Sequence, residues 1–279
     1  VKKNLARWLI AASVLLVMSA SSAFAGPLKD RIKEGKPIRL GFYVAQPGSY
    51  LSDDGKPVGT NNVIALGILK KMGYTNIESE TMDWGSLVPA LQAGRVDIIT
   101  AGMYVTSKRC ETIGFSDPTT VIYNSVLVKK GNPKGLENYQ DIAKKDAILA
   151  VISGYATIEQ AKRAGIPEQR LMVFPGPTQA IAALKAGRVD AYVDAEDGVN
   201  QMAKESNGEL EATNPASMPD RNYVAFGFRQ NDEDFIAAFN RASADYIGTP
   251  EMLKDAKAYG YEDRMLPGKI TSKEICKQS

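Results

Sequence analysis

From residue 38 onward, short apolar runs alternate with segments in which apolar positions recur every three or four residues. The first run, 38–43, reads as a buried strand that ends before Pro47 and Gly48. Asp53-Asp54-Gly55-Lys56-Pro57 marks a turn. Helical spacing over 63–72 stops at Gly73, and over 87–93 at Gly94, because glycine readily takes the left-handed conformation that closes a helix. A strand over 96–101 follows. The alternation resumes with strand 147–152, helix 157–164 before Gly165, strand 171–174, helix 178–186 before Gly187 and strand 189–193. This order predicts an α/β protein with parallel sheets and helices on their faces.

One segment is echoed. Leu87-Val-Pro-Ala-Leu-Gln-Ala-Gly-Arg-Val-Asp97 resembles Ala180-Ile-Ala-Ala-Leu-Lys-Ala-Gly-Arg-Val-Asp190, each copy running from helix through a glycine cap into a strand. The copies lie far apart, so two similarly built lobes are expected; two copies are too few for a solenoid. Between them lies a strand-like run over 124–131, and a second such run, 223–229, comes late. Two extended crossings between lobes make a hinge. Residues 232–259 have helical spacing and are expected to pack back on the first lobe, which would comprise 26–126 and 224–279, with 127–223 as the second.

Residues 1–25 carry the parts of a secretory leader. Lys2, Lys3 and Arg7 precede an uncharged apolar run over 9–20, and Ala23-Phe24-Ala25 is a cleavage signal, so the mature chain is expected to begin at Gly26. The run falls short of the ~20 apolar residues that span a bilayer. The formal net charge of +2 includes the leader's basic residues. The remaining charge is nearly balanced and no basic block stands out, which argues against a nucleic-acid partner. The chain has no histidine, so the commonest general base and metal ligand are missing. Export permits a disulfide between the two cysteines, Cys110 and Cys276, expected in the same lobe; whether they bond is for geometry to decide.

Ligands of open α/β sheets bind beyond the carboxyl ends of strands. Gly102, Met103 and Tyr104 follow the expected strand 96–101, and Thr106 is spaced to cap a short helix containing Arg109. Arg109 offers a planar, bidentate clamp for a carboxylate. A surface arginine paired with Glu111 or Asp117 is the plainer alternative. In the second lobe, Ser153-Gly154-Tyr155-Ala156-Thr157 leaves a buried strand and opens a helix, so its backbone N–H groups suit the same anion. Trp84, Tyr104, Tyr155 and Tyr43 are candidate walls. Asp194, Glu196 and Asp197 follow strand 189–193, either to pair with a ligand amine or as a solvated acidic helix start.

Trp84-Gly-Ser-Leu-Val-Pro-Ala-Leu-Gln-Ala-Gly-Arg-Val-Asp97, then Thr106-Ser-Lys-Arg109 and Phe115-Ser-Asp-Pro118, resemble the polar amino-acid-binding proteins of ABC transporters, family 3. Ala101-Gly-Met-Tyr-Val-Thr-Ser-Lys-Arg-Cys110 looks most like the ectoine/hydroxyectoine-binding branch. The resemblance implies a two-lobed type II periplasmic binding fold, two mixed sheets flanked by helices and joined by a two-strand hinge. It implies a periplasmic, monomeric receptor without a cofactor, capturing a small carboxylate-bearing solute for an ABC permease in the inner membrane. Arg109 and the 153–157 loop would hold the carboxylate. The solute stays open among amino acids, their derivatives and compatible solutes. An exported dehydratase-like enzyme on the same fold would need a positioned acid and base, for which Asp194, Glu196 and Asp197 are the carboxylates at hand. A sensory ligand-binding module is the third reading.

Overall fold

The structure, a computed structural model, describes residues 28–218 and 220–277. The expected leader and its cleavage site lie outside the described residues.

The first half opens with α1 (Leu28–Lys33) and β1 (Ile38–Phe42). A small hairpin, β2 (Tyr50–Leu51) and β3 (Pro57–Val58), leads to α2 (Thr60–Lys71) and β4 (Ile77–Thr81). Then come α3 (Leu87–Gln92), β5 (Ile98–Tyr104), α4 (Ser107–Cys110) and β6 (Gly114–Phe115). The long β7 (Thr120–Lys129) carries the chain into the second half. That half holds α5 (Tyr139–Lys144), β8 (Leu149–Ile152), α6 (Ala156–Arg163) and β9 (Leu171–Phe174). It continues through α7 (Pro177–Lys185), β10 (Ala191–Ala195), α8 (Glu196–Glu205) and β11 (Leu210–Ala212). β12 (Arg221–Phe228) returns to the first half, where α9 (Glu233–Ala244), α10 (Pro250–Lys257) and α11 (Ser272–Cys276) complete the chain.

Strands run in the order β4-β1-β5-β12-β7-β10-β8-β9. β4, β1 and β5 are parallel, as are β10, β8 and β9. β7 and β12 run antiparallel to their neighbours, so both sheets are mixed. β7 changes partner along its length: Thr120 to Tyr123 pair with β12, and Asn124 to Leu127 with β10. The strand therefore begins four residues earlier than expected: Thr120-Val-Ile-Tyr123 is itself a β-branched and aromatic run, and it pairs with β12.

Each sheet is covered on both faces. One apolar cluster joins Ile38, Leu40 and Ile98 to α2, α9 and α10 through Ile64, Ile68, Phe239 and Met252. The other face of the first sheet packs Leu87, Leu91, Ile99 and Met103. Val126, Leu149 and Val193 face one cluster of the second half, and Leu127, Ala150 and Tyr192 the opposite one. Cys110 and Cys276 form a disulfide, with Cα atoms 5.9 Å apart, tying α11 to α4.

The sequence echo has a structural cause. Asp97 donates its N–H to the Arg39 carbonyl at 2.8 Å and its carboxylate accepts the Arg39 N–H at 3.0 Å. In the second half Asp190 donates to the Ile148 carbonyl at 2.8 Å and accepts the Ile148 N–H at 2.8 Å. Each aspartate thus sets the register between two parallel strands. The glycines before them, Gly94 and Gly187, have φ of 69° and 72°, a backbone that closes a helix and is strained for other residues. Because these aspartates are spent on register, β5 and β10 start two residues later than the apolar runs suggest.

Candidate functional site

A cavity of about 450 Å³ lies between the two halves, beyond the carboxyl ends of β1, β5, β8 and β10. That size suits a small ligand. Tyr43, Trp84, Gly102, Tyr104 and Arg109 line it from the first half, and Tyr155, Thr157, Asp194 and Asp197 from the second.

Arg109 is placed by local structure. The Thr106 hydroxyl accepts the Arg109 N–H at 3.3 Å and starts the one-turn α4. The side chain lies half-buried against Trp84, with its guanidinium carbon 5.5 Å from the ring centroid. Nη1 donates to the Tyr104 carbonyl at 2.8 Å and Nη2 to the Gly154 carbonyl of the opposite half at 3.0 Å. Both partners are neutral. Burial pulls the pKa down from 12.5 to about 10, which still leaves the group charged at neutral pH. Glu111 and Asp117, the plainer partners considered for it, are not its hydrogen-bond acceptors.

The second half meets it with Gly154. Trp84 Nε1 donates to the Gly154 carbonyl at 3.1 Å, and the Trp84 and Tyr155 rings stand 4.7 Å apart. Within the 153–157 loop, Ser153 and Tyr155 spend their N–H groups on the carbonyls of Phe174 and Ile152. The first N–H groups of α6, at Ala156 and Thr157, are free of intrahelical partners by geometry, and both residues line the cavity. The Thr157 hydroxyl is buried and has no partner among the described residues.

Asp194 ends β10. It accepts hydrogen bonds from the Tyr192 hydroxyl and from Ala195 N–H. Burial raises its pKa from 3.8 to about 6, eased by those bonds and raised again by Asp197. Burial, and after it the field of Asp194, push up the phenols of Tyr43, Tyr104, Tyr155 and Tyr192. Asp197 accepts from Gly198 N–H at 2.8 Å, and burial raises its pKa as well.

Two expected site residues stand elsewhere. Met103 belongs to β5 rather than to a loop, because β5 continues to pair with β12 as far as Tyr104; its side chain is 2% exposed in the core. Glu196 is 1% exposed, and its carboxylate is taken by Arg264 Nη1 at 2.8 Å and Tyr123 N–H at 3.3 Å. Thr106 and Gly154 do not line the cavity but hold Arg109, which does. Gly102 lines it at φ +73°, and a Cβ there would come within 2.9 Å of Asn61 Nδ2.

Sequence reasoning missed the wall made by Ala45, Gln46 and Ser49 after β1 and by Asn61 at the start of α2. The strand-end rule that found Arg109 applies to the loop after β1 too. It also missed Gln201 and Glu205, one and two helical turns beyond Asp197 on the same face of α8.

Residues 38–260 match the family model of bacterial extracellular solute-binding proteins, family 3. The chain belongs to this family. A "probable amino-acid ABC transporter periplasmic-binding protein" of Sinorhizobium fredii is 31% identical over 278 residues, covering 96% of this chain and 91% of that one. An L-cystine-binding protein of Escherichia coli is 24% identical over 263 residues, covering 94% of each chain. Among solved structures, EhuB in complex with hydroxyectoine superposes with a TM-score of 0.79 at 28% identity, over 90% of this chain and 98% of that one. An ancestral arginine-binding protein bound to glutamine gives 0.70 at 25% identity, over 81% and 98%. This family-3 chain thus has the two-sheet, hinged architecture of periplasmic binding proteins and the role of a solute receptor in an ABC import system.

Proposed function

We propose that this family-3 protein captures a small solute through its carboxylate, held by Arg109, the Thr157 hydroxyl and the N–H groups of Ala156 and Thr157. The supporting observation is the cavity-facing guanidinium whose hydrogen-bond partners are both neutral carbonyls. A bidentate carboxylate supplies the missing countercharge. Because Arg109 and Thr157 come from opposite halves, the ligand adds contacts only when the halves are together, which is what drives closure. Bending falls on β7 and β12, the two strands along which the chain passes between the halves. The lobes then correspond to 26–126 with 224–279 and to 127–223. The exported, monomeric receptor delivers its solute unchanged to the permease.

Calorimetric titration with L-arginine, L-lysine, L-glutamine and ectoine tests this reading. Removing one partner of a buried charged pair costs about 2–5 kcal/mol, so Arg109→Ala should weaken whichever solute binds by about 30-fold or more. Affinity within threefold of the parent in a folded Arg109→Ala protein would refute the assignment. Mass spectrometry of the recovered solute separates receptor from enzyme, with unchanged solute expected.

A further inference from the structure

The charges on the cavity wall do not balance. Among the described lining residues Arg109 is the one cation, whereas Asp194, Asp197 and Glu205 are carboxylates. Asp194 is satisfied by a phenol and a backbone N–H, and Asp197 by a backbone N–H; none of these carries a charge. Glu205, at the exposed rim, accepts from Gln201 Nε2 at 2.6 Å. The basic side chain that reaches α8, Arg264, is committed to Glu196 and Glu262. The two inner carboxylates therefore have no cationic hydrogen-bond or ion-pair partner among the described residues, and Arg264 reaches Asp197 only through its field.

Two further features bear on the ligand, one at the acidic end of the cavity and one at the carboxylate end. Tyr43, Tyr104 and Tyr155 line the cavity together with Asp194, and aromatic faces attract cationic nitrogen. Independently, the Thr157 hydroxyl lines the same cavity, 2% exposed and without a hydrogen-bond partner among the described residues, so the site lacks a polar group that a ligand would bring.

We propose that the cavity is built for a solute of net positive charge. Its carboxylate engages Arg109, and two cationic nitrogens, an amine and a distal ammonium or guanidinium, are shared between Asp194 and Asp197. The inference rests on the carboxylate reading of Arg109. A neutral zwitterion, with one carboxylate and one cationic nitrogen, would leave one buried carboxylate desolvated and unpaired. A dibasic solute leaves none. Gln201 and Glu205 extend the same acidic and polar stripe toward the rim, which favours a long cationic arm over a compact ring.

The test is calorimetric titration of the mature protein, freed of carried-over ligand by unfolding and refolding, with L-arginine, L-lysine, L-glutamine and ectoine. At least one of the two basic amino acids is expected to bind tenfold or more tightly than both neutral zwitterions. Asp197→Asn should weaken the basic solute tenfold or more, with circular dichroism melting to show that the variant is folded. If L-glutamine or ectoine binds as tightly as the basic solutes, or if Asp197→Asn leaves the basic solute unaffected, the inference is overturned. Should that neutral binding still depend on Arg109, the carboxylate reading survives alone. Binding of none of the four overturns both.

Discussion

Asp194→Asn should make the ligand-free protein more stable at neutral pH, although it deletes a group at the binding site. Burial raises the Asp194 carboxyl from its ordinary 3.8 to about 6. The unfolded chain loses this proton near pH 4, whereas the folded protein keeps it until near pH 6. Between those values the native state binds more protons than the unfolded state, so stability falls as pH rises and then levels off. At 1.36 kcal/mol per pH unit the penalty has a ceiling of about 3 kcal/mol, and partial solvent contact brings the expected gain to about 1–2 kcal/mol. Asparagine keeps an oxygen for the Ala195 N–H, and the Tyr192 hydroxyl can rotate to accept from its amide. The charge that acts on the group is Asp197, which the substitution leaves in place; the neighbouring phenols of Tyr43, Tyr104, Tyr155 and Tyr192 are raised and stay neutral. Urea unfolding followed by circular dichroism at pH 4.0 and pH 7.5 gives the answer. The variant should exceed the parent at pH 7.5 and show no gain at pH 4.0. An equal loss of stability at both values would mean that Asp194 contributes through hydrogen bonding and packing, and the desolvation argument would fail.

Two further outcomes concern the first half. Asp97 is fully buried and receives hydrogen bonds from Arg39 and Arg229, and these hold its pKa below the ordinary value against the opposing effect of burial. Asp97→Ala removes the buried carboxylate shared by Arg39 and Arg229, leaving Arg229 only Asp232, and should cost about 3–5 kcal/mol in urea unfolding; a loss under 1 kcal/mol would contradict this. The Cys110–Cys276 disulfide spans 166 residues. Cys276→Ser should lower stability by about 2–4 kcal/mol, and dithiothreitol should do the same to the parent but nothing to the variant. An unchanged melting temperature on reduction would show that the packing of α11 alone carries the load.

Much of the site was legible because strand ends, caps and charge types are local signals. Thr106 three residues before Arg109, at the close of a strand, identified an anchored guanidinium without any coordinates. Asp194 followed from the same rule. Met103 misled because the apolar run suggests an earlier end to β5, and only pairing with β12 extends the strand to Tyr104. Glu196 was indistinguishable from Asp194 and Asp197 in sequence. Arg264, 68 positions away, claims it in the folded chain. The wall formed by Ser49 and Asn61 depends on the first loop lying against α2, with Thr60 N–H on the Pro47 carbonyl at 3.1 Å and Asn61 N–H on the Gly48 carbonyl at 2.8 Å.

The sequence by itself determined the alternation of strands and helices, the duplicated glycine–aspartate joint and the guanidinium at a strand end. Those features arise from neighbours within a few residues, where backbone preference and side-chain periodicity act directly. Only the tertiary structure decided which acids face the cavity, which arginine neutralises Glu196, and that Cys110 meets Cys276. Such pairings are set by how two sheets are brought together through β7 and β12. A carboxylate's burial and its partner depend on that packing, and no local pattern encodes either.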